Sequence, residues 1–377
     1  MEHALVRYGE IGTKSSPVRG QMVKVLRQRV EDRLLYDGIE FETVSRDSGR
    51  VVIETGEAEK AAGAAAELPG VASASPALKT SADIEDIKEA SEEFDYGETF
   101  GVETRRAGEH GFSSRDVNEE VGSHVEDLTG AAVDLDDPDT LLGIEVRLGD
   151  AYLFTERFQG PDGYPVGSQE PVAALISGGI DSPVAAYEVM TRGSDIVPVY
   201  FYNRPVAAED HRLRFEASVK KLKRFHPGKN WEAFVVDMDA VNEELMEMGR
   251  GRMVLHRIVL FRVAEELAWK EGLEGIVTGE SLGQKSSQTP VNLALTSGEV
   301  SKPVFRPLLT WSKNEIVESA KEVESFEEAK IASACSTMAP DNPATSLTEE
   351  KFAGLRQEVD IERLVDVALE NAEKVNL

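Results

Sequence analysis

The sequence predicts a multidomain α/β protein, with α+β front domains followed by a doubly wound parallel sheet. Three observations carry this. From residue 171 onward apolar strand patterns alternate with helical ones, the order that builds a mostly parallel sheet with helices on both faces. Residues up to 79 follow the order βαββαβ, which fits a small ferredoxin-like domain. Between them lies a separately patterned stretch that ends in Gly160-Pro161-Asp162-Gly163-Tyr164-Pro165-Val166-Gly167, a linker by composition. The 377 residues suffice for two or three domains, here divided as 1–79, 80–160 and 161–377.

The elements follow in order. Residues 3–8 read as a strand. Residues 17–36 read as a helix opening at Pro17, with Val18, Met22, Val25, Leu26, Arg29 and Val30 near one face. Phe41–Val44 and Val51–Glu54 read as a hairpin around Asp47-Ser48-Gly49, followed by an alanine-rich helix over 57–67 and a further strand after Leu68-Pro69-Gly70. In the middle stretch, helix 83–93 leads to strand 99–104 and helix 114–128, then to strands Leu142–Leu148 and Tyr152–Phe158 about Gly149-Asp150. In the last part, strands at 171–176, 196–202, 232–237 and 274–278 alternate with helices at 183–192, 208–224 and around 240–271, and a helical tail ends the chain. Sheets of this kind bind ligands at the carboxyl ends of their strands.

The first of those ends carries the most informative residues. Val172-Ala173-Ala174-Leu175-Ile176 reads as a buried strand and runs into Ser177-Gly178-Gly179-Ile180-Asp181-Ser182. Ser182 is a suitable N-cap, and Pro183 suits the first helical position. Glycines between a strand and a helix N-terminus expose backbone N–H groups where the helix dipole favours an anion. Ser177 and Ser182 add hydroxyl donors, so a pyrophosphate is the natural guest. The lysine of the GxxxxGK[ST] loop is missing. Two adjacent glycines alone fit a ligand-free tight turn; the whole hexapeptide in its strand–loop–helix context favours a nucleotide.

Composition bounds the partners. Acidic residues number 69 against 41 basic, a net charge of −28. Such an excess argues against nucleic acid, unless it is a halophilic adaptation in which surface carboxylates keep the protein solvated and salt screens charge to ~3 Å at 1 M. The acids are spread along the whole chain, which favours the second reading. One cysteine, Cys335, excludes an intrachain disulfide and a multi-cysteine metal site from one chain. The six histidines show no metal-ligand spacing. With no apolar leader and no run near the ~20 apolar residues of a membrane span, the expected location is cytoplasmic, away from membranes.

Several motifs together resemble one family. Ser177–Ser182 is similar to the SGGxDS loop of PP-loop ATP pyrophosphatases, which split ATP between the α and β phosphates and activate an oxygen by adenylation. Arg7-Tyr8-Gly9-Glu10-Ile11-Gly12-Thr13-Lys14-Ser15 resembles the opening signature of the tRNA 4-thiouridine synthetase (tRNA uracil 4-sulfurtransferase) family. Residues 80–158 resemble a THUMP domain. Gly163–Gly167, Gly279-Glu280-Ser281-Leu282-Gly283-Gln284 with Ser287-Gln288-Thr289, Arg306-Pro307-Leu308-Leu309, and Cys335 with Pro340 and Pro343-Ala344-Thr345 match further family segments. The resemblance covers essentially the whole chain, in the form without a C-terminal rhodanese-like domain.

The resemblance implies ATP and Mg²⁺ as cofactors, tRNA as partner and a sulfur donor, either a cysteine desulfurase persulfide or sulfide. It implies nucleotide contacts at Leu175, Ile176, Ser177, Gly178, Gly179, Ser182, Tyr200, Phe201, Arg257, Gly279 and Gln288. Tyr200 and Phe201 would offer backbone groups and an aromatic face to adenine. Core packing accounts for Leu175, Ile176 and Phe201 equally well, and a surface ion pair for Arg257. Asp181 is the carboxylate best placed for Mg²⁺ beside a pyrophosphate, or else a second capping residue. Cys335 is implied as the sulfur-handling nucleophile. A lone cysteine is most often a small buried hydrophobe, but Ser333, Ala334, Ser336 and Thr337 around it are no core pattern. Archaeal relatives with two cysteines near this position differ from this chain, which leaves the donor open.

The implied reaction is attack of a tRNA uridine O4 (position eight in the family) on the α phosphate, then displacement of AMP by sulfur. Some members also pass sulfur to a carrier protein for the thiamine thiazole. Basic islands support RNA binding by shape and phosphate contacts: Arg19, Lys24, Arg27, Arg29 and Arg33; Arg105 and Arg106; and residues 211–229 with Lys220, Lys221, Lys223 and Arg224. A solvated helix face is the plainer reading of the last island, but opposite charges are scarce there, Glu216 being the one acid. A PP-loop ligase for a small molecule and a non-catalytic tRNA-binding protein remain as alternatives. The oligomeric state, a homodimer included, is not readable.

Overall fold

The computed structural model describes residues 1–203, 210–326, 340 and 344–377, and the chain forms two compact units, Met1–Val166 and Gly167–Leu377. The α/β class is as expected.

In the first unit β1 (His3–Arg7) leads through a 3₁₀ turn at Glu10–Thr13 to α1 (Ser16–Asp37), β2 (Thr43–Asp47), β3 (Arg50–Glu54), α2 (Ala58–Ala66) and β4 (Ser73–Ser81). Then come α3 (Ile84–Ser91), β5 (Thr99–Arg106), α4 (Ser114–Thr129), β6 (Ala132–Val133), β7 (Thr140–Arg147), β8 (Asp150–Phe154) and β9 (Phe158–Gln159). The strands form one sheet in the order β2-β3-β1-β4-β8-β7-β5-β6, with β9 beside β4. The β2–β3 hairpin closes through Ser48 and Gly49, both at positive φ, between the paired Asp47 and Arg50; this is the primed two-residue turn whose twist suits a hairpin. A capping box between Ser113 and Asp116 starts α4. β4 is the longest shared element: Ser73–Arg7 through Ala77–His3 pair it with β1, and Leu78–Ser81 pair it with β8.

Helices α1 and α2 bury Met22, Leu26, Val30 and Leu34 and a run of alanines against Ala4, Val6 and Ile53. Helices α3 and α4 bury Ile87, Val117, Val121 and Val125 against Leu142, Ile144 and Val146. Alternation along the strands sends Leu5, Val52, Ala77, Tyr152 and Phe154 into a separate buried cluster. Glu145 lies 1% exposed and accepts from Arg7 Nε (2.5 Å), Arg50 Nε (2.8 Å) and Arg147. Burial raises the Glu145 carboxyl, but the three guanidinium charges outweigh burial and hold it at about 2. Burial pulls Arg7 down to about 10, so it stays charged at neutral pH.

β10 (Tyr164–Leu175) crosses into the second unit, which continues with α5 (Asp181–Thr191), β11 (Arg192–Tyr202), α6 (Asp210–Lys223), β12 (Glu232–Asp237), α7 (Asp239–Met246), α8 (Arg252–Glu271) and β13 (Ile276–Val277). It continues with α9 (Pro290–Ser297), β14 (Val304–Phe305), α10 (Lys313–Glu322), α11 (Glu349–Glu358), α12 (Ile361–Glu370) and β15 (Ala372–Asn376). The sheet order is β14-β13-β10-β11-β12-β15. β10–β13, β11–β12 and β13–β14 pair in parallel, and β15 adds an antiparallel edge to β12. The core lies on α8, where Leu255, Ile258, Val259 and Phe261 are fully buried, with Ile361, Leu364 and Val365 of α12 in the same cluster. Among the described residues no helix is long and apolar enough to cross a membrane.

Three expectations change. The Gly160–Gly167 stretch is folded rather than a free linker. Gly160 N donates to Ala72 O at 3.0 Å, Asp162 Oδ1 accepts from Gly9 N and Glu10 N, and β10 already begins at Tyr164. The helical tail ends in the strand β15, whose alternating polar residues read as a tail because an edge strand is half solvated. Helix α5 starts at Asp181 rather than Pro183; Ile180 takes the N-cap position with no side-chain cap, and Ser182 lies inside the first turn.

Candidate nucleotide site

Consecutive strands leave β10 in opposite directions across the sheet, β11 to one side and β13 to the other. This is the switch point at which open α/β sheets leave a crevice beyond their strand ends. A cavity of about 380 Å³ opens there, lined by the Ser177–Ser182 loop, the end of β11, one side of α8 and residues 278–280 and 285–288.

The loop is tied by its two serines. Ser177 N donates to Ser182 Oγ at 2.8 Å, the two hydroxyls are 3.0 Å apart, and Gly179 N donates to Ser177 Oγ at 3.3 Å. The Ser182 hydroxyl that suited an N-cap thus closes the loop instead. Neither Gly178 nor Gly179 has a positive φ. Gly178 is needed for space: a Cβ there would stand 3.2 Å from Arg214 Cβ and 3.3 Å from His211 O on α6. Gly279 is tighter, since its Cβ would lie 2.7 Å from Asp181 C and 2.8 Å from Ser182 N. The second motif thus begins with a glycine because the backbone of α5 rests on it. A side chain at 279 would push the loop off its strand.

Charges meet here from distant segments. Asp181 Oδ1 accepts from Lys313 Nζ at 2.6 Å, and Asp181 Oδ2 accepts from Gln284 Nε2 at 3.1 Å. Lys313 opens α10 directly after the N-cap Ser312, whose capping box with Glu315 starts the helix. Arg257 Nε lies 3.4 Å from Glu280 Oε1, and Arg306 Nε donates to Glu280 Oε2 at 2.8 Å. Arg257 therefore makes an ion pair and lines the cavity as well. Gln288 is 7% exposed, and its Oε1 has no hydrogen-bond partner. The Tyr200 ring stacks on Phe215 at 4.8 Å and 13°, so its aromatic face serves the core, while the residue also lines the cavity. Phe201 belongs to the α8 core and lines the cavity too. Leu175 and Ile176 end β10 at the cavity wall.

Asn203 Oδ1 lies 3.0 Å from His256 Nε2 and accepts from Asn242 Nδ2 at 3.4 Å. Burial, aided by the neighbouring Arg257 charge, holds the imidazole at about 3, so it is neutral. No sequence signal pointed to Lys313, Asn203, His256 or Lys285, all but Lys313 lining the cavity.

The cavity's polar groups suit a nucleotide: donors in the backbone amides at the loop and in Lys285, with Lys313 beside Asp181, and an acceptor in the unsatisfied buried carbonyl oxygen of Gln288. Magnesium has a thinner site. Among the described residues no cluster of three or more His, Cys, Asp or Glu could hold a metal. Asp181 alone matches the one or two carboxylates that a phosphate-borne Mg²⁺ asks of a protein.

Cys335 lies outside the described residues, as does Pro343. The chain re-enters at Ala344, where Asn292 Nδ2 donates to Ala344 O at 3.0 Å and Thr289 Oγ1 donates to Thr345 O at 2.7 Å. This anchors the segment after Cys335 on α9, immediately beyond Gln288.

The basic islands are less free than their composition suggests. Lys221 pairs with Glu324 at 3.0 Å and Arg224 with the same carboxylate at 2.7 Å, and Lys223 donates to Leu377 O. The expected scarcity of partners is therefore corrected: they come from about 100 to 154 residues away, where no helix-face pattern can show them. Lys220 is exposed. In the first unit Arg105 pairs with Glu103 at 2.9 Å, and Arg106 Nη1 lies 3.2 Å from His110 Nδ1.

Known proteins match along the entire chain. The family described as "Thiamine biosynthesis protein (ThiI)" matches residues 167–361, the THUMP domain 81–156 and the ThiI ferredoxin-like domain 3–75. A probable tRNA sulfurtransferase of Halobacterium salinarum is 41% identical over 355 residues, 92% of this chain and 90% of that one. One from Methanosarcina mazei is 31% identical over 99% of this chain and 95% of its own. The crystal structure of a 4-thiouridine synthetase–RNA complex with bound ATP superposes with a TM-score of 0.85 at 30% identity, covering 100% of both chains. A Pyrococcus horikoshii protein at 24% identity and TM-score 0.67, over 86% of this chain and 100% of that one, shares the fold. On its sequence, its folded parts and its full-length likeness, the chain belongs to the tRNA sulfurtransferase (ThiI) family.

Proposed function

We propose that this protein converts a tRNA uridine, position eight by family analogy, to 4-thiouridine at the expense of ATP. One observation carries the reading: the Ser177–Ser182 loop opens on a nucleotide-sized cavity at the sheet's switch point, in a chain alike over its full length to a 4-thiouridine synthetase.

The pyrophosphate part of ATP lies against the loop amides, with Lys313 drawn from Asp181 to phosphate oxygens. Leu175, Ile176, Ser177, Gly178, Gly179, Ser182, Tyr200, Phe201, Arg257, Gly279 and Gln288 line or shape the nucleotide site. Asp181 is the residue that would hold Mg²⁺, which neutralises phosphate charge. The uridine O4 attacks the α phosphorus, the α–β bridge breaks, and pyrophosphate departs into the amide cradle. The terminal sulfur of a persulfide on Cys335 then bonds C4 and AMP leaves with the oxygen. The resulting disulfide between C4 sulfur and Cys335 is opened by an external thiol. Sulfide attacking C4 directly is the other route. The front residues 1–79 and 80–160 hold RNA; Arg105 and Arg106 there, and Lys220, Lys221, Lys223 and Arg224 in and just after α6, are the candidate phosphate contacts.

The test is mass spectrometry of tRNA nucleosides from a strain lacking the protein, joined to tRNA-stimulated pyrophosphate release by the purified chain. Loss of 4-thiouridine and its return on complementation is the expected result. Unchanged 4-thiouridine, with release of pyrophosphate indifferent to tRNA, would hand the reading to a small-molecule ligase. The family's description also motivates a thiamine role, which growth of the same strain without thiamine decides.

A further inference from the structure

The wall of the cavity formed by β11 and α8 is largely apolar, with Val199, Phe201, Met253 and Leu260. With phosphates at the loop, that wall is left for the base. Beside His256 and Arg257 of α8, Asn203 stands at its edge, immediately after the end of β11. Its carbonyl oxygen is already used twice, by His256 Nε2 at 3.0 Å and Asn242 Nδ2 at 3.4 Å. A carboxamide oxygen has two acceptor positions, so these contacts saturate it. The same contacts turn the amide and direct its NH₂ away from α7 and α8, and among the described residues that NH₂ has no protein acceptor.

The two partners are held firmly. Asn242 is completely buried and His256 is 4% exposed. An imidazole kept neutral by burial has one N–H, and the Asn203 oxygen requires it on Nε2. The ring and the buried amide therefore act as a clamp that preorganises a donor, which costs a ligand little ordering.

We infer that Asn203, set by His256 and Asn242, donates a hydrogen bond to a ring nitrogen of the bound adenine and makes the site selective for that base. The inference rests on the ATP reading above. A site built to bond one ring atom rejects the analogue that lacks it, because the buried polar group is then left unpaired.

The experiment is calorimetric binding of ATP and of its 1-deaza, 3-deaza and 7-deaza analogues to the full chain and to Asn203→Ala. For the unaltered protein, one analogue should bind about tenfold more weakly than ATP, the range of a single neutral hydrogen bond. Asn203→Ala should bind ATP about tenfold more weakly and lose its discrimination against that same analogue alone. His256→Gln, which keeps an N–H donor, should retain discrimination, and His256→Leu should reduce it at unchanged melting temperature for the ATP-free protein. Equal binding of all four nucleotides by the unaltered protein overturns the inference, as does discrimination that survives Asn203→Ala. Failure of the unaltered protein to bind ATP at all would instead strike the reading of the site as a nucleotide site.

Discussion

Lys313 Nζ stands 2.6 Å from Asp181 Oδ1, a pair joined across 132 residues of sequence. The lysine is half exposed and the carboxylate about a quarter exposed, so the pair contributes little to stability, at most ~1 kcal/mol. Its position at the mouth of the phosphate loop suggests that the partner is exchanged when nucleotide binds.

Lys313→Met and Asp181→Asn should each lower tRNA-dependent pyrophosphate release by about 100-fold, the size of one lost charge contact on a developing anion. Melting temperature and tRNA affinity should stay near those of the unaltered protein. A wild-type rate of release in either variant would remove that residue from the chemistry.

Glu324 sequesters Lys221 and Arg224, which hold its carboxyl below the usual range. Glu324→Gln should remove the carboxylate charge that offsets Lys221 and Arg224 and strengthen tRNA binding at low salt by a few fold, steepening the log–log salt dependence. Lys220→Glu should flatten that slope by ~0.7 to 0.9 without affecting stability. A salt series with the three proteins decides it; identical slopes would make α6 an ordinary solvated helix.

Glu145 makes stability depend on acid. Its carboxyl sits at about 2 in the folded chain against about 4.3 for a glutamate in an unfolded chain. The folded state therefore binds fewer protons than the unfolded state between these values. The contribution is fully present above about pH 5 and disappears as pH falls toward 2; it is on the order of 3 kcal/mol. Glu145→Gln should destabilise the first unit by about 3 kcal/mol at neutral pH, with three arginines left around an uncharged amide, and should flatten this acid dependence. Denaturant titrations from pH 7 to 3 measure both.

Cys335→Ser should block thiolation while pyrophosphate release continues, because activation precedes sulfur transfer. With one cysteine in the chain, turnover from a persulfide should require added thiol. Multiple turnovers by Cys335→Ser supplied with sulfide would dismiss the cysteine as nucleophile.

The strand–helix alternation after residue 171 was legible because buried parallel strands are short apolar runs between amphipathic helices, as at Val172–Leu175. β6 and β14 are two residues each, too short for any period, and β15 carries Glu373 and Lys374 where a core strand would carry apolar residues. The loop, Asp181, Gly279 and Gln288 announced themselves as local motifs. Lys313, Glu324 and Asn203 did not, because their meaning comes from partners that only the fold brings near. The serine at 182 illustrates the intermediate case: the residue type was informative, yet the competing acceptor role toward Ser177 N prevailed over the cap.

β4 carries a consequence for motion. A strand bonded to β1 over Ser73–Ala77 and to β8 over Leu78–Ser81 can bend between Ala77 and Leu78 without breaking either ladder, whereas a bend within either stretch would cost backbone hydrogen bonds. Distances within each half of the sheet are accordingly set by strand spacing, and a change of the angle between the halves would have its pivot at Ala77–Leu78.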